Sequence, residues 1–382
     1  MYCTRLQLND MKSIESNTKS RYQQIADDLR LQIIRGQSEP GEKLPTFDDL
    51  VTSFDTSRSI VQMAVGQLRD QGFVRSDGRR GMFVEDYPPH LYRYGILFPG
   101  HPGDSYWSRF NASLSQEAIR LQAQTPGYRF ECYYDLHKTA KANGIDHLLD
   151  DVRQQTLAGL MVMPFCDHVL EHATVAQSGI PILHLFGSTE SNRLPSLTTD
   201  HDDYLTQRVL PQLKSLGAHR VAAVSMAEHP SAELVSMVQS AGLQTRKSWI
   251  QYVSRDYPET IRRIIWLLFE LPVDQRPDGL LILDDNLIEH VMLGLNDCGL
   301  VVGKDIHVYS QNNWPCESPN VLPIHRYGVH TGQMLVKACQ ILNDMRQNID
   351  VPQFQSMPSW FEKELPKSVT FDDEIPDCFM QE

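Results

Sequence analysis

A stretch near the start of the chain gathers side chains that can bind a nucleic acid. Between Thr56 and Val84, polar residues lie on the outward side of a helical apolar pattern or crowd around an Asp-Gly pair. A guanidinium can hold a phosphate or a guanine edge with two parallel hydrogen bonds, so these residue types indicate contact with DNA. The side chains concerned are Arg58, Ser59, Gln62, Arg75, Arg79 and Arg80.

Three amphipathic helices are predicted to carry or support these side chains. The first, in SRYQQIADDLRLQIIRG, begins with a capping box formed by Ser20 and Gln23. A second capping box, Thr46 with Asp49, opens a short helix in TFDDLVTSF. Ser57 can cap a third helix, whose inward residues recur with a helical period.

A basic hairpin is predicted to follow the third helix. The Asp-Gly pair favours a tight type I′ turn between two short strands, Phe73 to Ser76 and Met82 to Val84. Three helices followed by such a hairpin have the order of a winged helix-turn-helix. In that fold one helix enters the major groove and the hairpin, or wing, touches the backbone or the minor groove.

Charge and cysteine usage limit the class of protein. The chain of 382 residues carries a net charge of -13, whereas Lys19 to Val84 hold ten basic and nine acidic residues. Only this N-terminal part is therefore suited to a polyanion.

Seven scattered cysteines without a CxxC pair argue against a disulfide framework and a zinc site. A secretory signal and an apolar segment of membrane-spanning length are both missing, so we expect a cytoplasmic protein.

Beyond Pro88 and Pro89 the pattern changes to strands alternating with helices. Apolar runs at YGILF, FECYY, LAGLMVM, IPILHLF, RVAAVSM, GLLILDD and DIHVYS predict an α/β fold with parallel sheets. About 275 residues exceed one comfortable core, so two Rossmann-like lobes with a ligand cleft between them are expected. The predicted divisions are a flexible arm at 1–18, a DNA-binding domain at 19–84, a linker at 85–92, an effector-binding and dimerisation domain at 93–365, and a tail at 366–382.

The run Tyr22 to Val84 resembles the DNA-binding head of the GntR family of bacterial regulators. The resemblance is carried by YQQIADDLRLQIIRG, PGEKLP, TSRSIVQMAV and GRRGMFV. It implies that Thr46, Ser57 and Arg58 contact DNA, with the wing arginines nearby. The sequence departs from the family at Asp48, where an arginine is usual, and at Gln62, where a basic residue is common. Because each cation neutralises about one phosphate, affinity should be lower and less salt-dependent than in relatives.

The region from about Tyr94 to Ile341 resembles the effector domain of the LacI family, which is similar to periplasmic sugar-binding proteins. The motifs are YGILFPG with DSYW, LAGLMVMP, LKSLGAHRVAAVS, RPDGLLILDDN and GLVVGKDIHVYSQNN. A GntR-type head on a LacI-type body is known from the arabinose repressors of some bacteria. The resemblance implies a dimeric, ligand-responsive regulator, most simply a repressor, that binds a palindromic DNA operator.

Five residues are predicted to line the effector cleft. A sugar site needs an aromatic surface for the CH face of the ring and carboxylates or amides for the hydroxyl groups. By the resemblance, Tyr106 and Trp107 supply the aromatic surface, unless they are packing residues at a helix start, and Asp285 supplies the ligand-binding acid. Asp200 is either a helix cap or a cleft residue, and Asn312 stands where relatives often carry an aspartate.

Other assignments remain open from sequence alone. Asp284 is interpreted as a helix cap, and His184, His201 and His325 could reach the cleft or be ordinary packing residues. HPSAELVSMVQ contains no arginine where relatives usually have one, which weakens any transfer of ligand identity. No cofactor, metal or catalytic motif is predicted. A regulator-like protein that acts through partners, and an enzyme fused to a DNA-binding head, are the alternative functions.

Overall fold

The computed structural model describes residues 19–137, 145–187, 194–226, 231–316 and 322–373. The chain divides into two compact units, residues 1–89 and 90–382, here called the head and the body. The predicted arm, residues 1–18, lies outside the described residues, as do residues 374–382 of the predicted tail.

Three helices and a two-stranded hairpin form the head. The helices are α1 Arg21–Ile34, α2 Phe47–Phe54 and α3 Arg58–Asp70, and the antiparallel strands are β1 Val74–Ser76 and β2 Met82–Val84. Both predicted capping boxes are confirmed. One apolar core joins the elements, and its fully buried members are Ile25, Ala26, Val61, Ala64, Leu68, Phe73 and Val84.

The prediction of a tight type I′ turn in the wing is wrong. Five residues, 77–81, separate the strands, and Gly78–Arg80 form a short 3-10 turn. A type I′ turn needs positive φ at both central residues, but Asp77 has φ -110° and only Gly78, at 49°, is positive. The longer loop carries Arg79 and Arg80.

The body contains two lobes, each built on a parallel sheet. In lobe 1 the strand order is β13-β7-β6-β5-β3-β4, and every pairing is parallel. These strands are β3 Arg93–Leu97, β4 Arg129–Tyr133, β5 Gly159–Val162, β6 Ile182–Leu185, β7 Ser196–Thr199 and β13 Phe354–Met357. The associated helices are α4 Pro89–Tyr92, α5 Arg109–Gln124, α6 Ile145–Arg153, α7 Ala173–Ala176 and α13 Thr331–Arg346.

Lobe 2 repeats this arrangement with one antiparallel edge strand. Its order is β14-β12-β11-β10-β8-β9, and only β14 runs against its neighbour. The strands are β8 Val221–Ser225, β9 Ile250–Tyr252, β10 Gly279–Ile282, β11 His307–Trp314, β12 His325–His330 and β14 Ser359–Phe361. The helices are α8 His201–Tyr204, α9 Leu210–Ser215, α10 Ser231–Ser240, α11 Ile261–Phe269 and α12 Ile288–Asp297, with a π-helical turn at Leu205–Val209 joining α8 to α9. The predicted α/β fold class is confirmed.

Within the described residues the chain passes between the lobes four times. The first three passages follow β7 at Asp200, follow β12 at His330, and join β13 to β14 at Pro358, and the fourth leads from β14 back to the lobe 1 core at Val369. Asp200 ties the first passage to the third, because its Oδ1 accepts hydrogen bonds from the Ser359 amide at 2.9 Å and the Ser359 hydroxyl at 2.6 Å. The connection between the lobes is thus a braced hinge.

Residues 366–373, assigned from sequence to the tail, pack against lobe 1. Val369 is buried in the lobe 1 core, and its carbonyl oxygen accepts a hydrogen bond from Arg120 Nη2 at 2.9 Å. Phe371 stacks on Tyr128 with ring centroids 3.7 Å apart. Among the described helices, none is both long and apolar enough to cross a membrane.

Candidate functional site

The outer face of α3 carries the predicted DNA-reading residues of the head. Arg58, Ser59 and Gln62 are exposed, whereas Val61 is fully buried. Met63, which sequence reasoning missed, is 50% exposed on the same helix. The surface is therefore polar apart from one flexible thioether side chain, which suits contact with base edges and methyl groups.

Arg58 is held by an acidic neighbour. Its Nη1 donates to Asp48 Oδ1 at 2.6 Å, and its guanidinium lies 5.5 Å from the ring centroid of Phe47. Asp48, the residue that departs from the GntR pattern, therefore pairs with Arg58. A phosphate or guanine that binds Arg58 must compete with this carboxylate.

The wing arginines have similar intramolecular partners. Arg75 Nη2 donates to Asp86 Oδ1 at 3.2 Å, and Arg80 Nη1 donates to Asp77 Oδ2 at 3.4 Å. Arg79 is exposed, and no ion pair involves it within the part of the head that the structure describes. Exposed pairs of this kind are worth about 0.2 to 1 kcal/mol, so DNA phosphates can displace the carboxylates at modest cost.

The hydroxyl groups of Thr46 and Ser57 already have partners. Thr46 Oγ1 donates to Asp49 Oδ2 at 2.6 Å and accepts from the Asp49 amide at 3.3 Å. These hydrogen bonds lower the pKa of Asp49. Ser57 occupies the N-cap position of α3, but its Oγ lies 3.0 Å from Ser59 Oγ and makes no capping bond, so that predicted cap is wrong. Thr46 and Ser57 still stand at two exposed helix N-termini, where phosphate is favoured.

Replacing Asp48 with arginine should strengthen DNA binding without regard to sequence. The change releases Arg58 and adds a cation at the start of α2, at a cost of a few tenths of a kcal/mol in helix-dipole energy. The slope of log K against log salt concentration should steepen by about one for operator and random DNA alike. Asp70→Arg at the far end of α3 serves as the matched charge control. An unchanged slope in the Asp48 variant would show that this face does not meet the DNA backbone.

The body contains a cavity of about 560 Å³ where strands of both lobes end. Residues after β3, β5, β6 and β7 face residues after β10 and near the end of β11. This is where open α/β sheets place ligands, because the strand ends leave a crevice between the loops. The lining includes Pro99, Tyr106, Ser108, Phe110, Asn111, Met163, Pro164, Phe165, Phe186, Thr198, Thr199, Asp200, His201, Asp202, Asp203, Arg255, Leu283, Asp284, Asn286, Gln311, Asn313 and Ser356.

Four aromatic rings form one side of this cleft. Phe110 and Phe186 meet edge to face with centroids 4.8 Å apart, and Tyr106 and Phe165 do so at 5.8 Å. Phe165 and Phe186 have φ of 72° and 61°, which bulky residues rarely adopt. Strain of this kind concentrates at ligand sites, where it fixes a side chain in place. Phe186 is the last residue of the predicted run IPILHLF and Phe165 lies two residues after LAGLMVM, so the rule about strand ends could have found both.

The remaining lining is polar and acidic. Among the described residues, four carboxylates, those of Asp200, Asp202, Asp203 and Asp284, line the cavity together with one guanidinium, that of Arg255. Burial raises the pKa of Asp200, although hydrogen bonds from Ser359 oppose this. The excess of acceptors over cations suits a ligand that carries hydroxyl groups and no negative charge.

Asp285, the acid predicted to bind the ligand, does not line the cleft; its neighbour Asp284 does. Asp285 is fully buried and accepts hydrogen bonds from the backbone amide of Asn313 at 3.1 Å and from Asn313 Nδ2 at 3.0 Å. It therefore positions Asn313, which lines the cleft. Asp284 also caps the turn that follows, as predicted, because its Oδ1 accepts from the Asn286 amide at 2.9 Å.

Burial, and next the negative charge of Asp284, raise the pKa of Asp285 to about 7. Between about pH 4 and pH 7 the unfolded chain loses this proton before the folded chain does, so stability should fall as the pH rises. Asp285→Asn should therefore shrink, by several degrees, the loss of melting temperature between pH 5 and pH 8. The dependence contributed by Asp284, whose pKa is also raised by burial, should remain. Asp274→Asn is the exposed control, and equal pH profiles for wild type and Asp285→Asn would contradict the assignment.

Two other predicted cleft residues face away from the cavity. Trp107 packs between Phe98 and Tyr134, with centroids 5.2 and 5.7 Å away, although its neighbours Tyr106 and Ser108 line the cleft. Asn312 is fully buried, while Gln311 and Asn313 line the cleft. Successive side chains of a strand point to opposite faces, so Asn312 on β11, between the lining residues Gln311 and Asn313, faces the other way.

The histidines have separate locations. His201 lines the cleft beside Asp200. His184 is buried away from it, with Nδ1 3.4 Å from Asp167 Oδ1, and burial lowers its pKa. His325 lines a different cavity in lobe 2. Only His201 of the three therefore belongs to the candidate cleft.

Polar contacts at the start of α5 connect the two sides of the cleft. The Arg109 amide donates to Asn286 Oδ1 at 3.0 Å, and Arg109 Nη2 donates to Glu289 Oε1 at 2.9 Å. Arg109 belongs to lobe 1, and both acceptors belong to lobe 2. These bonds hold the lobes together at the mouth of the cleft.

Known proteins match the two units separately. Residues 21–84 match the family described as bacterial regulatory proteins, gntR family. The mannosyl-D-glycerate transport/metabolism system repressor MngR of Escherichia coli (strain K12) is 43% identical over 68 residues, 18% of this chain and 28% of that protein. The arabinose metabolism transcriptional repressor of Geobacillus stearothermophilus is 32% identical over 76 residues, 20% of this chain and 21% of that protein. The matches thus span only about a quarter of each relative.

The body is similar in fold to solved regulators. A regulatory protein of the LacI family from Chloroflexus aggregans superposes with a TM-score of 0.54 at 16% identity, covering 70% of this chain and 96% of that chain. At this identity the likeness concerns the fold. The chain therefore joins a DNA-binding head of the GntR type to a body with the fold of LacI-family regulators.

Proposed function

We propose that the protein is a transcription regulator that binds an operator through its head and a sugar or sugar derivative through its body. The observation that carries the proposal is the presence in one chain of a GntR-type head, with α3 exposed, and of a large two-lobed cleft. A protein of this function acts on the chromosome, which places it in the cytoplasm. We assign it no catalytic role.

The lining of the cleft favours a sugar among small ligands. Rings such as Phe110 and Phe186 can cover the apolar CH face, while the acids and amides opposite can hold pairs of hydroxyl groups. The two repressors that match the head are named for arabinose and for mannosyl-D-glycerate. A thermal-shift screen of monosaccharides, disaccharides and their derivatives tests the ligand class, because a ligand that binds only the folded state raises the melting temperature.

The hinge between the lobes is where ligand binding could affect DNA binding. A ligand that contacts Asp200 acts on the residue that braces two of the passages between the lobes. Closure would add to the bonds that Arg109 makes across the mouth of the cleft. The ligand can shift the DNA-binding equilibrium only by its differential affinity for the two states, commonly about 1 to 3 kcal/mol. We propose that the protein represses transcription when no ligand is bound, and that the ligand changes its affinity for DNA.

A homodimer is the proposed assembly. Trp266 and Leu267 on α11 are 47% and 64% exposed, and Leu293 on α12 is 47% exposed. Helices α11 and α12 cross where Gly294 meets Ile265, so Trp266 and Leu293 adjoin the crossing. Exposed apolar side chains on neighbouring helices favour an interface with a second copy. Sedimentation of the full chain should therefore give twice its mass of 43.7 kDa, and a monomer at micromolar concentration would contradict the assembly.

Selection from random DNA tests the function as a whole. Two heads related by a two-fold axis should recover a palindromic site with half-sites about one helical turn, or a multiple of it, apart. Bound DNA should show this symmetry in footprints of the full chain. Recovery of no sequence above background would contradict operator recognition and would favour a protein that acts through partners.

A further inference from the structure

A second cavity, of about 280 Å³, lies in lobe 2 away from the cleft. Its lining is Gln212, Tyr309, Ile324, His325, Arg326, Phe361, Glu362 and Lys363. Tyr309 pairs in register with His325 near the amino ends of β11 and β12, whereas the cleft takes Asn313 further along β11. Four residues of strand separate Tyr309 from Asn313 by about 13 Å. The two cavities are therefore distinct sites on the same sheet.

The second cavity is basic within an acidic chain. Arg326 and Lys363 line it with His325, and Glu362 is the one acid in that lining. The Arg326 side chain is only 9% exposed, and its Nη1 forms an ion pair with Glu362 Oε1 at 3.7 Å. Burial lowers the pKa of His325, and the nearby His307 and Lys363 lower it further, which indicates a positive local field. Such a field attracts an anion.

The same cavity offers flat apolar surfaces. The imidazole of His325 stacks on Tyr309 with centroids 4.7 Å apart and an interplanar angle of 18°. Because one face of this imidazole covers Tyr309 and the residue is exposed, the other face is open to a ligand ring. Phe361 adds a second ring, with the guanidinium of Arg208 5.2 Å from its centroid. Aromatic surfaces of this kind bind bases or the CH face of sugars.

We propose that this cavity is a second ligand site, which takes a phosphate monoester of a single-ring or nucleoside compound. A phosphomonoester matches two permanent cations better than a carboxylate does, since it carries nearly two charges and three strong acceptors. The cavity is half the size of the cleft, which suits a compact ligand. The acidic cleft is a poor alternative place for such an anion, because its described lining has four carboxylates and one arginine.

Calorimetric titration of the full chain without DNA tests the site. Adenosine 5′-monophosphate and glucose 6-phosphate are the two probes, and the one that binds identifies the ring as a base or a sugar. Inorganic phosphate tests whether the ring is needed. Lys363→Glu, an exposed position, should weaken binding about ten-fold or more, as expected for losing a charge-assisted contact. Lys247→Glu, beside the far edge strand β9, should leave binding unchanged.

Three outcomes would overturn the proposal. The first is that neither ester binds saturably. The second is that inorganic phosphate binds as tightly as the esters, which would leave an adventitious anion only. The third is that binding survives Lys363→Glu or is lost in Arg255→Ala, which would move the anion to the cleft. Because no DNA or sugar enters the titration, failure here is distinguishable from failure of the regulator function.

Discussion

Arg58→Ala should weaken binding to the selected operator by about 1 to 3 kcal/mol, roughly a 5- to 150-fold loss. Arg58 is the exposed guanidinium at the first position of α3, the helix expected in the major groove. In the head without DNA this side chain is bonded to Asp48 at 2.6 Å, so binding exchanges one anion for another. The measured loss is thus a net value after the Asp48 contact is broken.

Two further variants separate sequence-specific contacts of Arg58 with the bases from non-specific attraction of its charge to the DNA. Arg69→Ala removes an exposed arginine from the last turn of the same helix and should have little effect. Arg58→Lys keeps the charge but loses the planar fork, so it should retain non-specific binding while losing discrimination between operator and random DNA. Titration of both DNAs at several salt concentrations makes the comparison. Operator affinity equal to wild type in a folded Arg58→Ala protein would remove Arg58 from the interface.

The helices of the head could be predicted from the sequence because each is marked by a pattern within its own segment. Capping boxes at Ser20 and Thr46 act over three residues, and the apolar period of each helix is visible within one segment. The turn in the wing was not readable, because Asp77 and Gly78 are shared by several loop geometries. The Asp48–Arg58 pair joins two helices and depends on their packing, which spacing along the chain does not reveal.

In the body, the seven predicted runs became strands, including the edge strand β4, whereas β7, β9, β12, β13 and β14 were missed. Runs such as LAGLMVM are apolar on both faces and became β5, whereas β7, β13 and β14 are short and partly polar. Their identity as strands depends on pairing with distant segments. The passages between the lobes, and hence the role of Asp200 as a brace, could not be derived from periodicity.

The cleft residues predicted from the resemblance to the LacI family were close to the observed lining but not identical to it. Three predicted positions, Trp107, Asp285 and Asn312, each lie one residue from a side chain that lines the cavity. The correct loops and strand ends were identified. For Asn312 on β11 a shift of one residue turns the side chain to the opposite face, whereas Trp107 and Asp285 lie outside strands, where local packing sets the direction. Which of two neighbouring side chains faces the cavity depends on how the lobe packs, and the local sequence does not show this packing. Of the four rings on the aromatic side only Tyr106 was predicted, although Phe165 and Phe186 lie at or just after the ends of predicted strands.

Asp284→Asn should lower the affinity for the sugar found in the thermal-shift screen by about 10- to 100-fold. A charged acceptor facing a hydroxyl group contributes about 1.5 to 3 kcal/mol, and the amide retains only the neutral part of that bond. Asparagine can still cap the turn at Asn286, so the loop should keep its shape. Calorimetry with the sugar, alongside operator binding without it, measures both effects. Operator binding should remain as in wild type, because the head is a separate unit.

A comparison with Asp285→Asn decides which of the two neighbouring acids, Asp284 or Asp285, contacts the sugar. Asp285→Asn alters a fully buried group that holds Asn313, so it should affect sugar affinity less than Asp284→Asn and should change the pH dependence of stability more. Asp274→Asn, exposed in lobe 2, should change neither property. If Asp285→Asn abolished sugar binding while Asp284→Asn left it intact, the ligand would contact the acid expected from the resemblance, and the cleft lining described above would be wrong. Equal sugar affinity in all three variants would instead place the ligand outside this cleft.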